Sequence, residues 1–264
     1  AFFSMMLCSV ISCMTGCINI HANYGVGTKK LTGNGIVKEK ERDVTGFDAI
    51  DTGGSIDVII SEQKDAPVKV SGDENLIDYV ETSVDNGVLN IRFKHGFGYS
   101  SKKGLRVTVP NNGRINKIMA SGSSDVVIKG CVAADNILIS GKGSSDIRGN
   151  IRAKNCELNF SGSSDYKGTV ETASCTIRCS GSSDCIISGS ADVCDISMSG
   201  SSDFKGYDFV AKKVDCSASG SSDIQVTCTG ELSVNASGSS DVSYKGSATV
   251  TAKHLSRSSD LHHR

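Results

Sequence analysis

The residues with the clearest chemical potential in this sequence are the serines and aspartates of a short repeated segment. Ser121–Asp125 reads SGSSD, and the same five letters return at 161–165, 180–184, 199–203, 219–223 and 237–241. Altered copies end at Asp146 and Asp260. Serine, glycine and aspartate also build nucleophile turns, phosphate-binding loops and calcium loops. The segment is therefore either a catalytic or binding motif that occurs eight times or the corner of a structural repeat.

A catalytic role for the repeated serine lacks the partners that the chemistry requires. A serine nucleophile needs a base and a group that orients the base. The five histidines all lie outside the regular copies: His21, His95, His254, His262 and His263. We therefore predict a protein that is not an enzyme, with no catalytic residues and no cofactor. The alternative is a carbohydrate-active β-helix enzyme, similar to polysaccharide lyases or hydrolases, with acidic side chains in one groove.

The aspartates that close the copies suggest a second chemistry, the binding of a cation or another ligand. This candidate face consists of Asp125, Asp146, Asp165, Asp184, Asp203, Asp223 and Asp241. Stacked carboxylates repel one another, and calcium, which takes about six to eight oxygen ligands, could bridge them. The known calcium repeat, G-G-x-G-x-D, recurs about every nine residues, unlike this one. No metal ligand is assigned on this evidence.

The alternative to ion binding is a purely structural corner. Glycine would adopt a positive φ, and serine and aspartate side chains would accept hydrogen bonds from backbone N–H groups. Basic side chains that follow the aspartates would then screen the column of carboxylates: Lys129, Arg148, Lys167, Lys205 and Lys245.

The period of the copies identifies the element that must position these side chains. Successive closing aspartates lie 21, 19, 19, 19, 20, 18 and 19 residues apart. Before each corner apolar and polar residues alternate, as in Cys156–Phe160 and Leu232–Ala236, which predicts a strand with one buried face. Short strands and one corner per period predict an all-β, single-stranded parallel β-helix, or β-solenoid, with turns about 4.8 Å apart. An antiparallel barrel or sandwich is the alternative.

Eight of the eleven cysteines lie within this repeat region. Cys156, Cys175 and Cys194 are each 19 residues from the next, so they should occupy one inward column. Free thiols pack there as small apolar side chains. Disulfides and a metal site stay open as alternatives, because the spacing of turns lies within the range that a disulfide spans.

The residues before the regular copies follow the same pattern less regularly. Phe47–Ile60 can be aligned with Ile115–Ile128, which makes the segment GGSID a relative of SGSSD. We therefore predict one folded body over 33–264, with irregular N-terminal turns at 33–114 and regular repeats at 115–264. The irregular part could cap one end of the solenoid, whose open strand edges need protection.

Shorter patterns predict the elements of the irregular part. Alternating residues indicate strands at Pro67–Val70, Val88–Phe93 and Leu105–Val109. Asn86–Gly87 has the composition of a tight hairpin turn. Lys94–Lys103, which is rich in glycine and serine, is predicted to be an exposed loop.

The first residues have the features of an export signal. They are uncharged and mostly apolar, but the run is shorter than the roughly 20 residues of a membrane span. Met14–Cys17 resembles a bacterial lipobox, so we predict a lipoprotein signal peptide over 1–17, lipid attachment at Cys17 and a tether over 18–32. Cys13 is a second candidate for lipidation. A lipid anchor would hold the protein on a membrane that faces an oxidising compartment.

Several segments together resemble the head GIN domain family of auto-transporter adhesins, a family of unknown function that is frequent in Bacteroidetes. The resemblance covers about residues 33–245 and is carried by the SGSSD copies and by Gly33–Gly35, Arg42–Ile50, Gly54–Val58 and Leu89–Ile91. It implies a right-handed parallel β-helix in a secreted or lipid-anchored protein. It implies no catalytic residues.

The formal net charge of −1, without a block of like charges, gives no indication of nucleic-acid binding. We therefore expect an exported protein of the cell envelope, an outer-membrane lipoprotein held by its lipid anchor. Its expected role is that of an adhesin-like or structural β-solenoid that binds a surface glycan or a protein partner.

Overall fold

The computed structural model describes residues 29–256 and 258–264. The predicted signal peptide, the lipid attachment at Cys17 and most of the predicted tether lie outside these residues and stay predictions. No helix in the described part of the chain is long and apolar enough to cross a membrane. A single turn of 3-10 helix, Ile77–Tyr79, is the one helical element described.

Nineteen β-strands make up nearly all of the remaining regular structure. In chain order they are β1 Lys29–Thr32, β2 Val37–Arg42, β3 Ala49–Thr52, β4 Ile56–Ser61, β5 Val68–Asp73, β6 Val80–Asp85, β7 Val88–Phe93, β8 Phe97–Ser100, β9 Leu105–Pro110, β10 Lys117–Gly122, β11 Val126–Gly143, β12 Ile147–Gly162, β13 Tyr166–Gly181, β14 Cys185–Gly200, β15 Phe204–Gly220, β16 Ile224–Ala236, β17 Asp241–Lys245, β18 Thr249–Leu255 and β19 Asp260–His263.

The regular repeats form the predicted parallel β-solenoid. Each strand from β11 to β15 runs from one SGSSD corner to the next and pairs in parallel with the turns before and after it. The register places Cys156 beside Cys175 and Cys175 beside Cys194, as the spacing of 19 predicts. The final copy is one further turn, because Asp260 pairs in parallel with Asp241.

The first turns also belong to the stack, but their order in space differs from their order in the chain. Ile50 pairs with Ile118 and Val58 pairs with Val126, which confirms the predicted alignment of the two segments. The other side of β3 and β4 is covered by β7 and β9, which follow them in sequence. The outermost parallel level is therefore formed by β7 and β9, which follow β3 and β4 in the chain. The next strand, β10, then pairs with the opposite side of β3.

Antiparallel strands surround this outer level. β2 pairs with β5, β5 with β9, and β6 with β7. Asn86 and Gly87 both have positive φ in the β6–β7 hairpin, as predicted for a tight turn. The predicted exposed loop at 94–103 is wrong in part, because it contains β8, which pairs with β1. Aromatic packing explains the difference: the Tyr99 ring lies 4.1 Å from that of Phe93.

One continuous hydrophobic core runs the length of the stack, from Phe47 to Tyr244. The residue that follows each corner aspartate is fully buried in every regular turn: Val126, Ile147, Tyr166, Cys185, Phe204, Ile224 and Val242. Burial of each such side chain contributes on the order of 1.5–3 kcal/mol, so the inward columns supply the main stabilisation of the stack.

Candidate functional site

Each regular corner begins with a glycine whose backbone conformation other residues rarely adopt. The φ angles of these glycines lie between +77° and +87°: Gly122, Gly143, Gly162, Gly181, Gly200, Gly220 and Gly238. The turns also stack too closely for a side chain, since a Cβ placed on Gly181 would lie 2.6 Å from the carbonyl oxygen of Gly162. Glycine is therefore needed for both conformation and stacking.

The two serines after the glycine connect successive turns through different atoms. In the copy at 180–184, the backbone N–H of Ser182 donates to the Gly162 carbonyl at 2.7 Å. Ser183 is fully buried, and its Oγ accepts the N–H of Ser164 at 3.2 Å. The same pairing joins the buried serines from Ser124 to Ser240. The second serine of each pair is thus a buried hydrogen-bond acceptor, whereas the first, such as Ser182, is exposed and contributes its backbone N–H to the stack.

The predicted aspartate face exists as a continuous ladder. All seven predicted aspartates stack, and Asp57 and Asp260 extend the column at its two ends. In each step the Oδ1 atom of one aspartate accepts the backbone N–H of the aspartate in the next turn, with N–O distances of 2.8 to 3.3 Å. A charged acceptor strengthens such a bond, so the column satisfies backbone groups that stacking would otherwise leave unpaired.

Basic side chains compensate the ladder at its centre. Arg148 contacts Asp146 at 2.7 Å, and Lys205 contacts Asp184 at 2.7 Å and Asp203 at 3.4 Å. Burial, with the neighbouring aspartates, raises the pKa of Asp146 above its ordinary value, while Arg148 acts against this rise.

The other basic side chains predicted to screen the ladder do not all do so. Lys245 lies 4.4 Å from the centroid of the Tyr207 ring instead. Within the described residues, Lys129 and Lys167 have no ion pair.

Each ladder carboxylate with its Oδ1 bonded to an N–H offers one further oxygen to a ligand. Two neighbouring aspartates therefore supply far fewer than the about six oxygens that calcium prefers. One group in the described part of the chain adds an imidazole to the column: Asp241, Asp260 and His262 have ligand atoms within 4.8 Å of one another. The geometry thus gives the ladder a structural role that needs no ion.

The cysteine column packs as predicted for small apolar side chains. Cys156, Cys175 and Cys194 are all buried. Hydrogen bonding to Cys175 and burial both raise the pKa of the Cys156 thiol. The three stacked, buried thiols thus fill the inward column as small apolar side chains do.

A groove that the sequence did not predict opens on the regular stack. It has a volume of about 680 Å³ and crosses the turns of β10 to β13. Its lining residues come from the part of each turn that lies between one SGSSD corner and the next in the chain. Its lining includes Lys117, Asn136, Asn155, Glu157 and Thr176. Register places Asn136 beside Asn155, and the Asn155 Nδ2 donates to the Asn136 Oδ1 at 2.8 Å.

Charged groups of both signs border this groove. Asp135 pairs with Lys154 at 3.0 Å, and Arg178 approaches Glu157 at 3.4 Å. Ala133, Ala134 and the buried side chain of Ile137 contribute apolar surface. The groove could have been suspected from the outward polar residues at equivalent positions of successive turns, but its concave shape depends on how the turns bend.

A buried carboxylate organises the irregular end. Asp73 is fully buried and accepts four hydrogen bonds: from the N–H groups of Gly35 (2.6 Å), Lys102 (2.8 Å) and Lys103 (3.1 Å) and from the Ser101 hydroxyl (2.5 Å). The Ser101 hydroxyl and these N–H groups lower the pKa of Asp73 to about 2. Its role is structural, because its oxygens are used within the protein.

Solved structures from two Parabacteroides species have the same fold. A "putative adhesin" from Parabacteroides merdae has a TM-score of 0.83 and 22% identity, covering 89% of this chain and 99% of that one. A "putative adhesin" from Parabacteroides distasonis has a TM-score of 0.83 and 24% identity, with coverages of 89% and 100%. A "putative lipid binding protein" from the same species has a TM-score of 0.80 and 23% identity, with coverages of 89% and 100%.

These identities establish a common fold and no more. No curated protein matches the chain. The sequence profile described as "Putative auto-transporter adhesin, head GIN domain" matches residues 46–248, which is most of the chain and includes nearly all of the solenoid. The chain therefore belongs to the head GIN domain family, as its sequence motifs indicated.

Proposed function

We propose that this chain is a non-catalytic, adhesin-like binding protein of the cell envelope, exported and held on the outer membrane by a lipid on Cys17. Its ligand is a surface glycan that lies in the groove across β10 to β13. The names of the family and of the similar structures support an adhesin-like, surface-associated role. The lipid anchor is supported by the lipobox-like sequence Met14–Cys17.

The observation that carries the proposal is the groove itself. Amide, carboxylate and hydroxyl groups recur in its lining at successive turns, about 4.8 Å apart. A polymer with a regular series of hydroxyl groups can form one set of hydrogen bonds per turn, so that many weak contacts add along the chain. The ladder aspartates, in contrast, already use an oxygen on the backbone.

A glycan panel screened with the full chain tests the proposed ligand. We expect saturable binding without product, and an Asn155→Ala/Glu157→Ala double variant should weaken it by about tenfold or more, which corresponds to about 1.4 kcal/mol. Asn235→Ala, an exposed asparagine near the far end of the stack, should bind as the unchanged protein does. Release of shortened or unsaturated sugars would instead establish the lyase or hydrolase alternative, and absence of binding to any glycan would contradict the proposal.

Metabolic labelling with a fatty acid tests the anchor separately. Cys17→Ala should abolish labelling and release the protein from the membrane fraction, whereas Cys13→Ala should remain labelled. Equal labelling of both variants would show that neither assignment of the lipobox is correct. Neither result depends on the identity of the glycan.

A further inference from the structure

Two cysteines face each other across one SGSSD corner. The residue before the corner and the residue after its aspartate are both buried, and in one turn these are Phe160 and Tyr166, whose ring centroids lie 5.9 Å apart. In the next turn the same two positions are Cys179 and Cys185. Both are buried, and their Sγ atoms lie 2.8 Å apart.

We propose that Cys179 and Cys185 form a disulfide that closes this corner when the chain folds in the presence of a disulfide oxidant. The two sulfur atoms need to approach by less than about 1 Å to reach bonding distance. The backbone already holds the two ends together, since the corner between them is hydrogen-bonded to the turns on both sides, through Ser182 to Gly162 and through Ser201 to Gly181.

The other cysteines of the described chain are less suited to form this bond. Cys175 lies between two equivalent neighbours, Cys156 and Cys194, so that a pair there would leave the third thiol alone. Cys228 directs its Sγ toward the Glu231 carbonyl at 3.2 Å, and Cys131 toward that of Val132 at 3.6 Å. The pair at the corner is thus distinguished by its separation of 2.8 Å between sulfurs and by the absence of a competing thiol at the same positions of the next turn, which are Met198 and Phe204.

The chemistry is a balanced exchange. Two thiols give up two protons and two electrons to an external disulfide, such as oxidised glutathione or an oxidised dithiol protein, which leaves as two thiols while the Cys179–Cys185 bond forms. The attacking species is a thiolate. Burial and contact with Cys179 raise the pKa of Cys185 well above its ordinary value. The folded, reduced corner should therefore react slowly, and the bond should form during folding.

Refolding of the denatured full chain with oxidised or with reduced glutathione tests the proposal. Free thiols are blocked by alkylation, and the protein is cleaved after Arg178 and before Asp184 and Asp192. After oxidative refolding we expect the peptide 179–183 to be joined to the peptide 184–191, and after reductive refolding we expect both to be alkylated. Addition of the oxidant to protein that has already folded in its reduced form should give at least tenfold slower joining.

Matched variants show whether a disulfide forms specifically between Cys179 and Cys185 or among the cysteines of the protein in general. Cys179→Ser and Cys185→Ser should each abolish the joined peptide, while Cys216→Ser, a change at an equally buried cysteine in another column, should retain it. Reduction of the joined protein should lower its thermal midpoint by about 5 °C. Full alkylation of both cysteines after oxidative refolding of the unchanged protein, or joining of either one to the 156–175–194 column, would overturn the proposal. The experiment in vitro does not depend on the proposed glycan or on the lipid anchor.

Discussion

The regular stack and the irregular end of this protein satisfy the same backbone requirements in opposite ways. In the stack, each corner repeats one set of hydrogen bonds, so that Ser183 and Asp184 do for their turn what Ser164 and Asp165 do for the one before. At the irregular end a single side chain, Asp73, accepts four hydrogen bonds from separate segments of the chain. In the stack, stabilisation is therefore distributed over many equivalent hydrogen bonds. At the irregular end, it depends on the hydrogen bonds of one side chain.

The largest effect should come from a corner glycine inside the stack. Gly181→Ala adds a strained positive φ and a Cβ only 2.6 Å from the Gly162 carbonyl, and should cost about 3 kcal/mol or more in the free energy of unfolding. Gly54, at the irregular end of the same column, has a φ of +89°, but a methyl group added there would have nothing within 4 Å. Gly54→Ala should therefore cost only about 1–2 kcal/mol in denaturant titrations. Equal costs would show that stacking does not restrict this position.

Asp73→Asn should have the next largest effect, because the amide would direct a donor toward groups that are themselves donors. We expect the thermal midpoint to fall by about 5 °C or more. The folded-state pKa of Asp73 is about 2, below its ordinary value, so the stability that its charge contributes is present above about pH 4. It is lost as the pH falls toward 2.

The difference in unfolding free energy between the unchanged protein and Asp73→Asn should therefore shrink over that pH window. A constant difference from pH 6 to pH 2 would contradict the assignment of the low pKa to this group.

Substitution of a buried ladder serine should have an intermediate effect. Ser183→Ala leaves the N–H of Ser164 without its acceptor and should cost about 1–3 kcal/mol. Ser182→Ala, at the exposed neighbour whose contribution is its backbone N–H, should change stability by less than about 0.5 kcal/mol. Urea titrations of the two variants measure the contrast. If Ser182→Ala were the more damaging change, the buried serine ladder would not be the stabilising element.

The smallest effect should come from removing one charge within the aspartate ladder. Asp165→Asn keeps an Oδ1 acceptor for the Asp184 N–H at 2.8 Å and reduces repulsion along the column, so stability should stay within about 0.5 kcal/mol or rise slightly. Asp165→Ala, which removes the acceptor, should cost about 1 kcal/mol. A large loss for the asparagine variant would point to a need for the charge itself, such as a bound cation, and melting curves with calcium or with EDTA would then identify it.

The extent to which the sequence predicts this structure follows the same division. Strict spacing predicts the columns of the stack, including the pairing of Cys156 with Cys175 and the positive φ at Gly181, because parallel pairing puts equivalent positions in register. It does not predict that β7 and β9 lie beneath β3 and β4, since the order of levels in space depends on long-range pairing. The sequence indicates this order only indirectly, because Asp57 and Asp125 are neighbours in the ladder but are separated by far more residues than one turn contains.

Prediction of the site has a similar limit. The aspartate column is evident because it repeats, yet its role as an acceptor for backbone N–H groups follows from distances that the sequence does not contain. The polar residues beside Asn136 and Asn155 recur at equivalent positions, but the groove that they line is not evident, because its concave shape depends on how the turns bend. Alternation predicts that Phe160 is buried, but it does not predict how the ring fits: Gly141 opposes it, and a Cβ there would lie 2.6 Å from the ring.

The alternating hydrogen bonds of the corner have a consequence for the length of the molecule. Along one corner, successive N–H groups point alternately toward the preceding and the following turn: Ser182 back to Gly162, Ser183 forward to Ser202, Asp184 back to Asp165, and Cys185 forward to Asp203. Their dipoles cancel, unlike those of an α-helix, whose peptide dipoles add along the axis. A whole turn can thus be inserted or deleted without building up a backbone dipole field at either end, so the peptide dipoles of the corner set no limit on how many copies such a rod can contain.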